Sequence, residues 1–221
     1  MNFVYELPRV NVILQSRGHV NYSYAWVFSV AILVLTPGCI TENVSENELG
    51  VGNHSPRLYG EVWDGNKWSD FNLENDFDQI STDSEYGTWY MINFIDTNCG
   101  YCQNEAENDI PQMQRKWTGE NPNRPMPDGT SVQFIAVALT LSEDKEGWEY
   151  GKEEIKDFRS EYQHDFLYMD DLDNSNSERW KVKATPSKFL IGPDGIIRYT
   201  TFEAEQGETV WDTMEELIPY E

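Results

Sequence analysis

Apolar positions fall in short runs separated by polar, glycine-rich stretches. Residues 89–95 (WYMINFI) are apolar at every position but Asn93. Such a run suits a central strand covered on both faces. Residues 132–141 (VQFIAVALTL) predict a second buried strand and residues 166–169 a short third one. Residues 58–63 and 67–71 flank Asp64-Gly65-Asn66, a turn signal, and predict an N-terminal hairpin. Residues 187–191 and 196–201 flank Gly192-Pro193-Asp194-Gly195 and predict another. Between these runs the spacing turns helical. A helix is expected from the Cys99 region to Trp117, kinked at Pro111. Another is expected over 146–162, with Trp148, Ile155, Phe158 and Tyr162 on one stripe. Short helical segments are expected over 74–80 and 177–181, and a final helix over 208–218. Strands alternating with helices, closed by a hairpin and a helix, describe an α/β domain with a mixed sheet and an antiparallel side.

The first 39 residues follow a different pattern. Arg9, Arg17 and His19 precede an apolar run over 25–35, AWVFSVAILVL, with Ser29 its one polar residue. Eleven residues are short for a membrane span but fit the apolar core of a signal peptide. Thr36-Pro37-Gly38-Cys39 then resembles a lipobox, with Cys39 the lipid-attachment residue, although Thr36 and Pro37 are not the usual residues there. The alternative is a retained membrane anchor with an incidental cysteine. Both readings place the rest of the chain at the extracytoplasmic face of the membrane, held by lipid or by helix. Residues 40–57 are polar and aperiodic and predict a flexible acidic tether, so the globular domain is expected over 58–221.

Charge narrows the partners. Sixteen Lys and Arg stand against 39 Asp and Glu, a net charge of −23. Nucleic-acid binding draws on basic patches, so that class is disfavoured. The acidic loop over 170–175 lacks the spacing and the terminal Glu of a calcium loop.

The chemistry sits where the first buried strand meets its helix. Cys99 and Cys102 are three apart, one helical turn, so both sulfurs can lie on one side of the helix N-terminus. Unpaired N–H groups and about half a positive charge at that end stabilise a thiolate, which is the nucleophile of disulfide exchange. The deeper cysteine can then resolve a mixed disulfide. A CxxC pair can also be half of a zinc site, which needs about two more ligands. Cys39 lies in the leader, and His54 and His164 stand alone. An exported chain whose one close pair is CxxC therefore points to working thiols rather than to a structural staple. No cofactor beyond a Cys99–Cys102 disulfide is expected.

Residues 58–221 resemble thioredoxin-fold proteins, most nearly the exported, membrane-tethered TlpA/ResA-like thiol–disulfide oxidoreductases. Three stretches carry the resemblance: INFIDTNCGYC, the inserted helix and strand over 146–169, and ATPSKFLIGPDGIIRY. It implies a thioredoxin-like fold, a central mixed sheet flanked by helices with an N-terminal hairpin and an inserted helix–strand. It implies that Cys99 attacks, that Cys102 resolves, that Pro186 is a cis-proline facing the pair, and that Thr185 tunes the contact with an extended substrate segment. Some tethered members carry a glutamate three residues past the second cysteine. Glu105 stands there, with Glu107 its rival, and a carboxylate raised by burial would take the Cys102 proton. Asn93 occupies the strand position where cytoplasmic thioredoxins carry a buried acid. Asn98 replaces the tryptophan usual before the first cysteine.

The implied partners are extracytoplasmic protein thiols and disulfides and a membrane electron donor, and a monomer is expected. Gly-Tyr between the cysteines with Thr before the proline also looks like exported disulfide isomerases. Those carry a separate dimerisation domain, and residues 40–57 are too short to supply one. A copper-delivery or binding protein on the same fold is the non-enzymatic alternative, with His164 as its distal histidine.

Overall fold

A computed structural model of the chain describes residues 49–75, 77, 86–117, 125–141 and 145–220. The leader, Cys39, the first half of the expected tether, most of the helix expected over 74–80 and half of the loop over 118–131 lie outside the described residues. The chain divides into two units, Met1–Glu42 and Asn43–Glu221, and every described residue belongs to the second.

The elements run in the order β1 (Tyr59–Trp63), β2 (Trp68–Asn72), a 3-10 turn (Leu73–Asn75), β3 (Thr88–Ile95), α1 (Gly100–Trp117), β4 (Ser131–Leu139), α2 (Lys152–Glu161), β5 (Leu167–Asp171), α3 (Ser175–Arg179), β6 (Ser187–Ile191), β7 (Ile197–Thr200) and α4 (Val210–Leu217). Seven strands form one sheet in the order β2-β1-β5-β4-β3-β6-β7. β3 pairs in parallel with β4, and β4 with β5. The hairpin β6–β7 adds antiparallel to β3, and the hairpin β1–β2 adds antiparallel to β5. The sheet is therefore mixed, with its parallel strands in the middle, as the apolar runs predict. Among the described residues no helix is long and apolar enough to cross a membrane.

β3 is central because both of its faces are covered. Side chains alternate across a strand. Tyr90, Ile92 and Phe94 enter one cluster with Trp180, Phe189 and Ile197. Trp89 and Met91 enter the opposite one, with Ile110, Met113, Trp117 and Met214. α1 lies on that second face through a stripe of Cys102, Ala106, Ile110, Met113 and Trp117, spaced by three and four residues. Pro111 sits within the continuous helix.

Three expectations shift. The helix over 146–162 starts only at Lys152, because Gly147 takes a φ of +86° and Gly151 is extended. Trp148 thus lies in the preceding turn, and Lys145 lies over its ring. The short helix over 177–181 begins earlier, at Ser175, because the buried Asp171 carboxylate accepts from the backbone N–H of Asn176 at 2.7 Å and of Ser177 at 2.8 Å. The tether expected over 40–57 does not hold through its second half. Gly52 N–H donates to Ile197 O and Ile197 N–H to Asn53 O, at 2.8 and 2.9 Å, and His54 bridges to Ile196. Residues 49–55 are a strap along β7, and Leu49 packs against the core.

Candidate functional site

The site forms at the end of β3 that leads into α1. Asp96 shapes this turn. Its side chain accepts from Asn98 N–H at 2.9 Å, from Leu141 N–H at 3.3 Å and from Tyr150 O–H at 3.0 Å. Its carbonyl accepts from Cys99 N–H at 2.9 Å. One aspartate thereby ties the cysteine turn to the end of β4 and to the loop before α2. Asn98, at the position where a tryptophan is usual, uses its amide to reach the Glu149 carbonyl at 3.0 Å.

The two cysteines sit in unlike surroundings. Cys99 precedes α1 and is half-buried, and Tyr101 after it is 79% exposed. Cys102 heads the apolar stripe of α1 and is 2% exposed. Both are free thiols. The Cys99 thiol donates to the Thr185 carbonyl at 3.5 Å. The Thr185–Pro186 peptide is cis. Burial pushes the Cys102 thiol up to about 12, opposed by its contacts with the Asp96 backbone and the Thr185 side chain. Cys99, Cys102, Thr185 and Pro186 are thus brought together from β3–α1 and the loop before β6.

Glu105 lies elsewhere in this arrangement. Both of its carboxylate oxygens are 2.6 Å from Lys188 Nζ, and the two side chains are only 21% and 12% exposed. The pair joins α1 to β6 at the edge of a cleft of about 480 Å³ that runs beside Pro186 to Met113 and Trp211. Glu107 is exposed and faces Tyr162. The geometry gives neither glutamate the buried, unpaired carboxyl that accepting the Cys102 proton calls for.

Beneath Cys102 lies a group that no sequence spacing points to. His164 is buried. Its Nε2 lies 2.9 Å from the Ala106 carbonyl and its Nδ1 lies 2.6 Å from the Tyr168 hydroxyl. A carbonyl only accepts, so Nε2 carries the proton and Nδ1 receives the Tyr168 hydrogen. Burial holds the imidazole below its ordinary range and the Tyr168 phenol above its own. With both ring nitrogens engaged, His164 offers no free ligand beside the cysteines. Among the described residues no group of three or more His, Cys, Asp or Glu side chains is placed to hold a metal ion.

Comparison with solved structures agrees with this architecture. The thioredoxin domain of a thiol-disulfide oxidoreductase from Bacteroides vulgatus matches at a TM-score of 0.51 and 16% identity, over 78% of this chain and 100% of that one. A Chlorobium tepidum protein assigned as the thiol:disulfide interchange protein DsbE matches at 0.51 and 18%, over 76% and 94%. A thiol:disulfide interchange protein from Bacteroides sp. matches at 0.50 and 14%, over 76% and 90%. No family model and no curated protein matches the chain. The chain has the thioredoxin fold.

Proposed function

We propose that this protein is an exported, membrane-tethered thiol–disulfide oxidoreductase that reduces or exchanges disulfides in extracytoplasmic proteins. The observation that carries the reading is the juxtaposition of a half-exposed Cys99 with the carbonyl before the cis-proline, 3.5 Å away, while Cys102 is sealed behind it. An accessible thiol is available for attack, and its partner is shielded from side reactions.

The Cys99 sulfur attacks one sulfur of a partner disulfide. That S–S bond breaks, a mixed disulfide forms, and the other partner sulfur leaves as a thiolate. Cys102 then attacks Cys99. The Cys99–Cys102 bond forms, the mixed disulfide breaks, and the partner departs reduced by two electrons while the dithiol is oxidised. A membrane electron donor would restore the dithiol. An extended substrate segment lies along residues 184–186, where Thr185 sets the contact. The leader over 1–39, with Cys39 as its lipid-attachment residue, supports export and tethering, and the protein acts as a monomer.

The test is insulin reduction followed by turbidity. Wild type is expected to reduce insulin in the presence of dithiothreitol, and Cys99→Ser is expected to fall to the rate of dithiothreitol alone. Reduction that survives Cys99→Ser refutes the mechanism.

A further inference from the structure

Strand register lines up one polar row beneath α1. Asn93 of β3 lies opposite Lys188 of β6 and Ala136 of β4, and Ala136 lies opposite Tyr168 of β5. Neighbouring strands are about 4.8 Å apart, so Asn93 and Tyr168 stand roughly 10 Å apart across the small side chain of Ala136. A void opens there. Cys102, Asn93, Ala136, His164 and Tyr168 all line it. It leaves about 10 Å³ of room for the centre of a water-sized sphere. One buried water needs about that much room and two to four polar partners. The void supplies them, and the Asn93 side-chain amide oxygen Oδ1, on a residue 6% exposed, has no hydrogen-bond partner among the described residues. An orphaned buried acceptor facing a water-sized void calls for a water.

We propose that this void is a site for one water, and that the water, Tyr168 and His164 carry away the Cys102 proton during the resolving step. The proposal rests on the oxidoreductase reading of the cysteine pair. Asn93 anchors the water with its side-chain oxygen Oδ1. The Cys102 S–H bond breaks, and its electron pair forms the bond to Cys99 as the mixed disulfide breaks. The proton passes through the water to the Tyr168 oxygen, and the Tyr168 hydrogen passes to His164 Nδ1. The Nε2–H bond to the Ala106 carbonyl offsets part of the burial that disfavours the imidazolium, which forms only in passing. The departing thiolate takes a proton from solvent, and the imidazolium loses its own to solvent once the partner has left, so the proton count closes. Capping Cys99 in the mixed disulfide also removes its free sulfur as a neighbour that disfavours the Cys102 thiolate. His164 and Tyr168 are positioning residues, because they act through the water.

The charged and titratable groups around this pair come from α1, α2 and the turn after α2. Arg159 and Tyr162 flank it from α2 and its end, with Asp165 beside His164. Cys102 lies on α1, and Glu107 and Glu161 act on Tyr162.

The experiment uses the full reduced chain and a peptide disulfide. Single-turnover samples are quenched with acid, and the mixed disulfide on Cys99 is followed by mass. Two variants test the path: Tyr168→Phe removes the hydroxyl, and Ala136→Val fills the void without touching a polar group. In both, the first step is expected within twofold of wild type. Resolution at pH 7 is expected at least tenfold slower, so the mixed disulfide accumulates. The gap should close as pH rises towards direct ionisation of Cys102, which a merely structural defect would not produce. Resolution within twofold of wild type in both variants, or a slowing independent of pH, overturns the inference alone. If Tyr168→Phe does not fold, Ala136→Val decides by the same criteria. Failure of wild-type Cys99 to form any mixed disulfide overturns the redox reading and this inference with it.

Discussion

Raising the pH on the reduced protein tests the asymmetry of the two thiols directly. Burial pushes Cys102 from the ordinary 9.0 up to about 12. Three pH units correspond to about 4 kcal/mol between the thiol and thiolate forms. At pH 9 a cysteine in an unfolded chain is about half thiolate, while Cys102 is about one part in a thousand thiolate. Iodoacetamide reacts with the thiolate. Alkylation of Cys102 at pH 9, mapped by peptide mass, is therefore expected to run about 500-fold slower in native protein than in urea, from ionisation alone. Its native pH midpoint should lie well above 9. The same difference acts on stability. A folded-state value above the unfolded one means that this contribution is present in full below pH 9 and is lost as pH rises towards 12. Urea midpoints of the reduced protein should fall across that window, and Cys102→Ser should fall less by up to about 4 kcal/mol. Half-maximal native alkylation of Cys102 at or below pH 9 would refute the reasoning.

Other parts of the site can be tested in the same way. Lys188→Ala strips the Glu105 carboxylate of its partner in a half-buried setting, and urea denaturation should show a loss of about 1–3 kcal/mol. Lys188→Met with Glu105→Gln should recover part of that loss, and no recovery would mean that the pair is not what is being measured. His164 titrates below 6.5 in the folded protein, so its contribution is present above pH 6.5 and is lost as pH falls through the folded value. Urea midpoints taken from pH 8 to 5 should decline less steeply for His164→Gln than for wild type. Thr209 and Asp212 form a reciprocal cap at the start of α4. Thr209→Ala should cost about 1 kcal/mol, read as a shift in urea midpoint with unchanged slope.

What the sequence shows and what it hides separate along physical lines. β3 and β6 are readable because short apolar-rich runs bounded by turn residues have few alternatives. The bounds 187–191 match β6 without change. The placement of Cys99 and Cys102 at the start of α1 and the cis peptide at Pro186 are readable because they depend on local spacing and on one proline. The ion pair of Glu105 is hidden, because its partner Lys188 is 83 residues away and nothing local announces it. His164 reads as a lone histidine or a distal copper ligand, and Tyr168 only as part of a short strand, for the same reason. Their meaning comes from the register that sets Asn93, Ala136 and Tyr168 in one row, and register is a property of three strands together. The strap over 49–55 is missed because its pairing to β7 is made by backbone groups, and a polar sequence does not reveal those.

That strap has a consequence for how the molecule behaves among its own copies. An outermost strand with free N–H and C=O groups is a template on which a neighbour can add a strand and begin aggregation. Ile197 at the β7 edge has its N–H donated to Asn53 and its C=O accepting from Gly52. At Ile197, where β7 begins, the sheet margin is thus already occupied by the chain itself. Copies brought side by side find the margin closed at that point. Removing residues 49–55 would open it.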